Sequence, residues 1–272
     1  MLNFKKRNKN LVEKFELFVG IDWSGAKGSS HRGIAVSEAK IGNSAPTIIS
    51  PPQNQKYWSR NEVKNYLVKR SEEKKILAGI DFAFSYPFID EMSFFPGLPN
   101  SPKTAIELWA LIDKINVDEP DFYGGNIWKD PIFSNYYNSP GNRGVLFRSR
   151  RRLTEIFAKK IKSPSPTFNC VGPAGVGTGS LAGMRVLHQF GSSACRWPLE
   201  KKTEKRLTLV EIFPALYFML AGIAPIKGNQ AKIEVLNKAL VFFNSEQLPN
   251  DFIVNGPDFD EADAIISAAA IR

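Results

Sequence analysis

Three short apolar runs of this sequence each end in an acidic residue. These residues are Asp22, Asp81 and Glu211, and two further acids, Asp260 and Asp263, stand three positions apart at the start of an alanine-rich stretch. A carboxylate at the end of a buried strand is costly, because it loses hydration and repels any neighbouring carboxylate. A divalent cation bound by several carboxylates removes that cost. The pattern therefore predicts a metal-dependent active site with oxygen ligands.

The elements that must position these acids can be traced along the chain. Short apolar runs bounded by turn residues predict strands over 17–23, 32–37, 46–50, 76–82 and 207–213. Helices are predicted from Ser59, where Glu62 completes a capping box, over about 102–116 and 151–161, from Ser180, from Pro214, over 229–243 and from Asp260. Three early strands followed by alternating helices and strands indicate an α/β fold, with a mixed sheet covered by helices.

The chain of 272 residues is long enough to bury a sizeable core. We expect one domain over residues 17–272, preceded by a basic extension over 1–16. Residues 84–149 form an irregular insertion rich in aromatic residues, proline and glycine. Such a segment is either a lid or binding surface, or a cover for the core. No apolar run is long enough to span a membrane and no signal peptide is recognisable, so a cytoplasmic protein without membrane contact is expected.

Charge and composition narrow the chemistry further. The net charge of +9 is concentrated in residues 143–162 and 196–206, which indicates either phosphate contact or a solvated face. The two cysteines, Cys170 and Cys195, lack metal-ligand spacing and are expected to be free thiols. The two histidines, His31 and His188, give little basis for a histidine zinc site or a Ser-His-Asp triad.

Several phrases of the sequence resemble the RNase H-like superfamily. Asp260-x-x-Asp263-Ala264 is similar to the last-helix motif of RuvC-type Holliday junction resolvases. The fuller chain resembles a bacterial family of uncharacterised predicted nucleases with an RNase H fold. The phrases that carry this resemblance are Ala78-Gly79-Ile80-Asp81-Phe82-Ala83-Phe84-Ser85, Arg152-Leu153-Thr154-Glu155, Gly172-Pro173-Ala174-Gly175-Val176-Gly177-Thr178-Gly179-Ser180-Leu181-Ala182-Gly183-Met184 and Val210-Glu211-Ile212-Phe213-Pro214.

The resemblance implies a five-stranded mixed sheet whose first, fourth and fifth strands deliver carboxylates beside the last helix. It also implies hydrolysis of phosphodiester bonds in DNA or RNA with two Mg²⁺ or Mn²⁺ ions about 3.5–4 Å apart. Asp22 would bridge the ions, Asp81 would bind one and Asp263 the other. Glu211 would complete either coordination sphere, and Asp260 is an alternative ligand.

A second group of residues has the types that contact substrate phosphates. Glycine lets backbone N–H groups approach a phosphate, a helix start favours anions, and arginine clamps phosphate oxygens. The glycine-rich segment also fits a tight loop packed under the sheet edge. The candidates are Ser24, Arg152, Glu155, Gly177, Gly179, Ser180 and Lys227.

Each acid also has a structural interpretation. Asp260 and Glu261 are good helix caps or first-turn charges, Asp81 can cap a turn, and Glu211 can pair with Arg152. Two other functions stay open beside the nuclease: a non-catalytic nucleic-acid-binding or assembly protein with the same fold, and an actin-like or sugar-kinase-like ATPase. For the ATPase the chain is short, since those enzymes use two such domains.

Overall fold

A mixed six-stranded sheet lies at the centre of this protein. The computed structural model describes residues 15–172, 175–201, 204–224, 228 and 232–272. The strand order is β3-β2-β1-β4-β8-β7, where β1 is antiparallel to β2 and parallel to β4, and β4, β8 and β7 run parallel to one another. The strands are β1 (Leu17–Asp22), β2 (Ala35–Lys40), β3 (Thr47–Ile48), β4 (Ile76–Ile80), β7 (Cys195–Arg196) and β8 (Leu207–Glu211), and a separate hairpin pairs β5 (Asn138–Ser139) with β6 (Asn142–Arg143).

Seven α-helices in the described part of the chain accompany the sheet. They are α1 (Arg60–Glu73), α2 (Ala105–Ile115), α3 (Leu153–Ala158), α4 (Gly177–Phe190), α5 (Pro214–Leu220), α6 (Ile233–Phe242) and α7 (Asp260–Ile271). The predicted α/β class with a mixed sheet is therefore confirmed. None of these helices has the length and apolar character needed to cross a membrane.

The expected five strands are all present, and the sheet has a sixth. The additional strand, β7, is only two residues long and was missed because so short a segment has no readable hydrophobic period. The capping box predicted at the start of α1 is present: the Ser59 side chain accepts from the Glu62 N–H, and the Glu62 side chain accepts from the Ser59 N–H. The predicted start of α6 at residue 229 falls outside the described residues.

One face of the sheet is covered by α7 at very short range. Gly20 of β1 and Gly79 of β4 are directly opposite each other in the parallel register. A Cβ atom on Gly20 would lie 2.2 Å from the carbonyl oxygen of Ala264, so only glycine permits this approach. The alanine-rich helix presents small side chains to the strand for the same reason. Helices α5 and α6 pack on α7 through a second apolar cluster.

The opposite face carries the main core, and residues 84–149 belong to it. Phe84, Phe95, Trp109 and Tyr137 are almost fully buried and join the same apolar cluster as the strand residues. The Trp109 indole N–H donates to the Phe84 carbonyl at 2.7 Å. This segment therefore covers the core, as in the second of the two interpretations of its sequence.

Buried arginines connect the irregular segments to this core. Arg60, which is fully buried, donates to the carbonyl oxygens of Ser24, Ala26 and Asp121. The Asp121 carboxylate in turn accepts from the backbone N–H groups of Arg60 and Asn61 at the start of α1, both at 3.0 Å. One aspartate thus caps a helix and neutralises a buried guanidinium.

Arginines of the two basic clusters are used in the same way. Arg150 donates to both carboxylate oxygens of Asp90 and to three backbone carbonyls, while Arg196 pairs with Glu200 and lies 5.3 Å from the Trp109 ring centroid. These two side chains are buried, so they contribute neither to phosphate contact nor to a solvated face. The basic character of the clusters comes from the remaining cations.

Candidate functional site

Parallel strands bring three of the predicted acids to one edge of the sheet. Ile21, Ile80 and Glu211 are in register across β1, β4 and β8. Asp22 and Asp81 follow one residue later, and the Asp81 N–H donates to the Ile21 carbonyl at 3.0 Å. Because the strands run in the same direction, their carboxyl ends meet at this edge.

The pleat of the sheet separates these acids onto two faces. Side chains two residues apart in a strand share a face. The Asp22 side chain is therefore on the same face of the sheet as Gly20, and the Asp81 side chain is on the same face as Gly79. This is the face that α7 covers. Glu211 pairs with Ile80, whose side chain belongs to the core on the opposite face.

Helix α7 brings Asp260 and Asp263 to the strand acids. The helix runs antiparallel to β1, with Ala264 over Gly20, so its first turn reaches the end of the strand at Asp22. Asp260 raises the pKa of the Asp22 carboxyl through its charge and through a side-chain hydrogen bond. Asp260 is only 6% exposed, while Asp22 and Asp263 each keep part of their surface in solvent. The cluster is therefore packed in protein yet reachable from outside.

We define the carboxylate cluster as Asp22, Asp81, Asp260 and Asp263. Within the described part of the chain, its negative charge has no compensating cation. Burial raises the pKa of Asp22 well above its usual value, and the charges of Asp263, Asp81 and Asp260 raise it further. The pKa of Asp81 is also raised well above its usual value, first by burial and then by Asp263 and Glu211. For Asp263, burial and then Asp260 and Asp258 raise the pKa to about 7.

The carboxylate cluster has the donor chemistry of a divalent cation site. Within the described residues, none of its four members forms a salt bridge to Lys, Arg or His within 4.0 Å. Carboxylate oxygens are the ligands that Mg²⁺ and Mn²⁺ prefer. No three His, Cys, Asp or Glu side chains in that part of the chain are already arranged around one centre. Ion binding thus requires these carboxylates to turn toward a common point.

Glu211 has a different environment from the carboxylate cluster. Its two carboxylate oxygens accept from the two terminal nitrogens of Arg152, each at 2.6 Å, and one also accepts from the Phe84 N–H at 2.9 Å. Arg152 also donates through Nε to Glu155 at 2.9 Å. This bidentate pair corresponds to the structural interpretation of Glu211, and it leaves Glu211 beside the carboxylate cluster rather than within it.

The predicted phosphate-contacting residues of the glycine-rich segment are tightly packed. A Cβ on Gly25 would lie 2.2 Å from the Gly179 backbone nitrogen, so the loop after β1 rests directly on the start of α4. A Cβ on Gly177 would lie 2.6 Å from Cys170 Sγ, and Ser180 is fully buried with its hydroxyl donating to the Val176 carbonyl at 3.0 Å. These positions serve close packing under the sheet edge.

Two other predicted phosphate-contacting residues, Ser24 and Lys227, lie outside the glycine-rich segment. Ser24 lies in the loop directly after Asp22, where its hydroxyl accepts from the Ala26 N–H at 3.3 Å and its carbonyl accepts from Arg60. Lys227 lies outside the described residues.

One neighbour of the site was missed by sequence reasoning. The pKa of Tyr217 is raised, first by burial and then by the charge of Asp81. The available signal was its position in α5, the helix that begins three residues after Glu211 with Pro214 at its first turn. The Tyr217 hydroxyl adds a potential hydrogen-bond donor to the edge.

Comparison with known proteins gives no assignment for this geometry. No protein-family model, curated protein or solved structure matches the chain. The function must therefore be argued from the carboxylate cluster and its surroundings.

Proposed function

We propose that this protein is a metal-dependent hydrolase that cleaves phosphodiester bonds in nucleic acid. The observation that carries the proposal is the carboxylate cluster, in which four acids from β1, β4 and α7 meet and, among the residues that the structure describes, no cation pairs with them. Such a cluster is destabilising by itself, since each charge is desolvated and repelled by its neighbours. An arrangement of this kind is typical of functional sites rather than of structural ion pairs.

Mg²⁺ or Mn²⁺ would be held by Asp22, Asp81, Asp260 and Asp263. When bound, two such ions supply electrostatic stabilisation of the phosphoryl oxygens and an activated water molecule. Asp22 interacts with each of the other three acids, which suits it to a shared position between two ions. Asp81 lies on the β4 side and Asp263 on the α7 side of Asp22.

Glu211 and Arg152 have a positioning role in this proposal. Both oxygens of Glu211 are engaged by Arg152, so Glu211 becomes a metal ligand only if that pair opens. As it stands, Glu211 fixes the Arg152 guanidinium at the edge of the site and adds negative charge near Asp81. Arg152 keeps N–H groups that can meet a phosphate oxygen.

The arrangement supports an RNase H-like fold as part of the proposal. Acids stand at the ends of β1, β4 and β8, and the helix that begins with Asp260 lies beside the first two of these strands, as the resemblance implies. The additional strand β7 extends the sheet beyond β8 and does not touch the acidic edge.

The proposal is tested with the Asp22→Asn variant, which keeps the side-chain shape and removes the charge. Labelled single-stranded and double-stranded DNA and RNA are incubated with Mg²⁺ or Mn²⁺. We expect cleavage by the wild-type protein, none in EDTA, and loss of cleavage in the variant with an unchanged circular dichroism spectrum. The control is Asp251→Asn, which changes an exposed acid away from the cluster.

Three results would contradict the proposal. Cleavage that persists in Asp22→Asn removes the cluster from the chemistry. Metal-dependent ATP turnover without nucleic-acid cleavage favours the ATPase instead, while salt-sensitive nucleic-acid binding without any cleavage favours the non-catalytic alternative.

A further inference from the structure

Helix α3 shows the reverse of the usual pattern for a surface helix. Its apolar side chains point to solvent: Leu153 is 54% exposed, Ile156 51% and Phe157 66%, and Ile161 just beyond the helix is 40% exposed. Its one buried residue is the charged Glu155, which pairs with Arg152. An exposed apolar face on a globular protein marks an interaction site.

Cations surround this apolar face. Lys159, Lys160 and Lys162 follow the helix, and within the described residues none of them has a carboxylate within 4.0 Å. The Lys160 ammonium lies 5.4 Å from the centroid of the Phe157 ring. The only acid on the helix, Glu155, is 3% exposed and neutralised by Arg152. The surface therefore presents an aromatic ring and positive charge, with no exposed negative charge from the helix itself.

The position of α3 ties this surface to the carboxylate cluster. Arg152 immediately precedes the helix and binds Glu211 through both terminal nitrogens. Glu211 in turn acts on the pKa of Asp81. Phe157 is five residues after Arg152, which corresponds to about 8 Å along a helix axis. A polymer lying across α3 would thus have its neighbouring phosphates at the acidic edge.

We propose that the α3 surface, defined as Leu153, Ile156, Phe157, Lys159, Lys160 and Lys162, binds single-stranded nucleic acid. The Phe157 ring stacks on an unpaired base, the aliphatic side chains support the adjacent sugar or base, and the lysines contact phosphates. This inference rests on the proposed function, because it names the substrate class of that site. A duplex is the poorer ligand, since its base faces are already stacked and unavailable to Phe157.

Charge complementarity favours this occupant over a protein partner. A second copy of the chain would bring two positively charged surfaces together. An apolar protein partner would offer no negative charge to the lysines. An anionic membrane also suits basic and apolar side chains. It becomes an outcome of the test.

The test measures fluorescence anisotropy of a labelled oligonucleotide of about 16 nucleotides, near the upper size of a single-strand binding site. Measurements are made in EDTA, so that binding is read without cleavage. Loss of one base stack corresponds to about 1–3 kcal/mol, so Phe157→Ala should weaken binding by roughly 5- to 150-fold. Phe157→Tyr should retain binding, and Lys160→Ala should lower the slope of log K against log salt by about 1.

The matched control is Phe242→Ala, which removes a 54% exposed aromatic ring on α6. The proposal is supported if Phe157→Ala loses single-strand affinity, Phe242→Ala does not, and a duplex of the same length binds more weakly. It is overturned if the two alanine variants bind alike, or if the duplex binds as tightly. It is also overturned if Phe157→Ala instead abolishes binding to phosphatidylserine vesicles or self-association in sedimentation, with single-strand binding unchanged.

The same variants separate this inference from the hydrolase proposal. Single-strand binding through Phe157 without cleavage by the wild-type protein refutes the hydrolase and leaves the binding surface intact. Cleavage that depends on Asp22, with binding indifferent to Phe157, refutes the surface alone.

Discussion

Removing the charge of Asp263 should stabilise the metal-free protein, although Asp263 belongs to the proposed active site. Four acids of the described part of the chain interact with its carboxyl group: Asp260 and Asp258 on its own segment, and Asp22 and Asp81 at the strand ends. Burial and this repulsion raise its pKa to about 7. An acid whose pKa is raised by folding leaves stability unaffected at low pH and reduces it as the pH rises from the unfolded pKa to the folded one.

The size of the effect follows from the two pKa values. The difference between about 7 and the usual 3.8 corresponds to about 4 kcal/mol at about 1.36 kcal/mol per pKa unit. Because part of Asp263 faces solvent, screening reduces this figure, and we expect a gain of about 2 kcal/mol for Asp263→Asn at pH 8. The gain should shrink as the pH falls toward 4, where the folded wild-type carboxyl is already neutral.

Urea unfolding in EDTA at a series of pH values measures this directly. Asp251→Asn, at an exposed position, should change the free energy of unfolding by less than about 0.5 kcal/mol. Adding Mn²⁺ at pH 8 should stabilise the wild-type protein, by about 2.7 kcal/mol at one hundred times the dissociation constant, and should stabilise Asp263→Asn far less. If Asp263→Asn is destabilised at pH 8 in EDTA, the acids are not repelling one another and the electrostatic argument for a metal site is wrong.

Three other substitutions test the framework of the site. Gly20→Ala would place a Cβ 2.2 Å from the Ala264 carbonyl. We therefore expect the free energy of unfolding in urea to fall by about 2–3 kcal/mol, together with loss of the stabilisation by Mn²⁺. Gly179→Ala, whose Cβ would meet no atom closer than 3.9 Å, should be tolerated, and equal effects of the two substitutions would refute the close approach of α7. Asp121→Ala leaves the fully buried Arg60 without its carboxylate and the N–H groups of Arg60 and Asn61 at the start of α1 without their acceptor. This should lower the free energy of unfolding by about 3–5 kcal/mol. A thermal midpoint within 2 °C of wild type, roughly the effect of under 1 kcal/mol, would contradict this. Arg152→Gln removes the bidentate partner of Glu211 and should lower the free energy of unfolding by about 2 kcal/mol. Glu211→Gln should give a similar loss, and the double variant should lose less than the sum of the two single losses. Additive losses would argue against the pair.

Sequence reasoning reached the strands that carry the acids because their signal is local. An apolar run that ends in an acid can be read within seven residues, and parallel strands carry such ends to one edge wherever the intervening chain goes. That Asp22 and Asp81 lie side by side was expected only from the resemblance to the RNase H-like superfamily. Asp260 and Asp263 were added because they begin the last helix.

The structural features that the sequence did not predict depend on contacts between distant segments. Glu211 was predicted as a ligand, but the register of β8 against β4 turns it toward the other face, and register is not encoded within β8 alone. Helix α4 begins at Gly177 rather than Ser180, although glycine is a poor helix former. The loop at Gly25 packs directly on the glycine-rich first turn of α4, so tertiary packing overrides the low helix propensity of glycine. The inward direction of Arg150 and Arg196 was likewise hidden, since each side chain donates to main-chain carbonyl groups as well as to a carboxylate.

The facing glycines of β1 and β4 have a consequence for how this site can change. At Gly20 no side chain of β1 separates the strand from the helix, so the depth of α7 at this point is set by contact with the backbone of Ala264 and Ala268. A single added methyl group at that point would lift the helix and draw its two aspartates away from those on the strands. A substitution that changes the packing between β1 and α7 therefore also changes the distances between the acids of the carboxylate cluster.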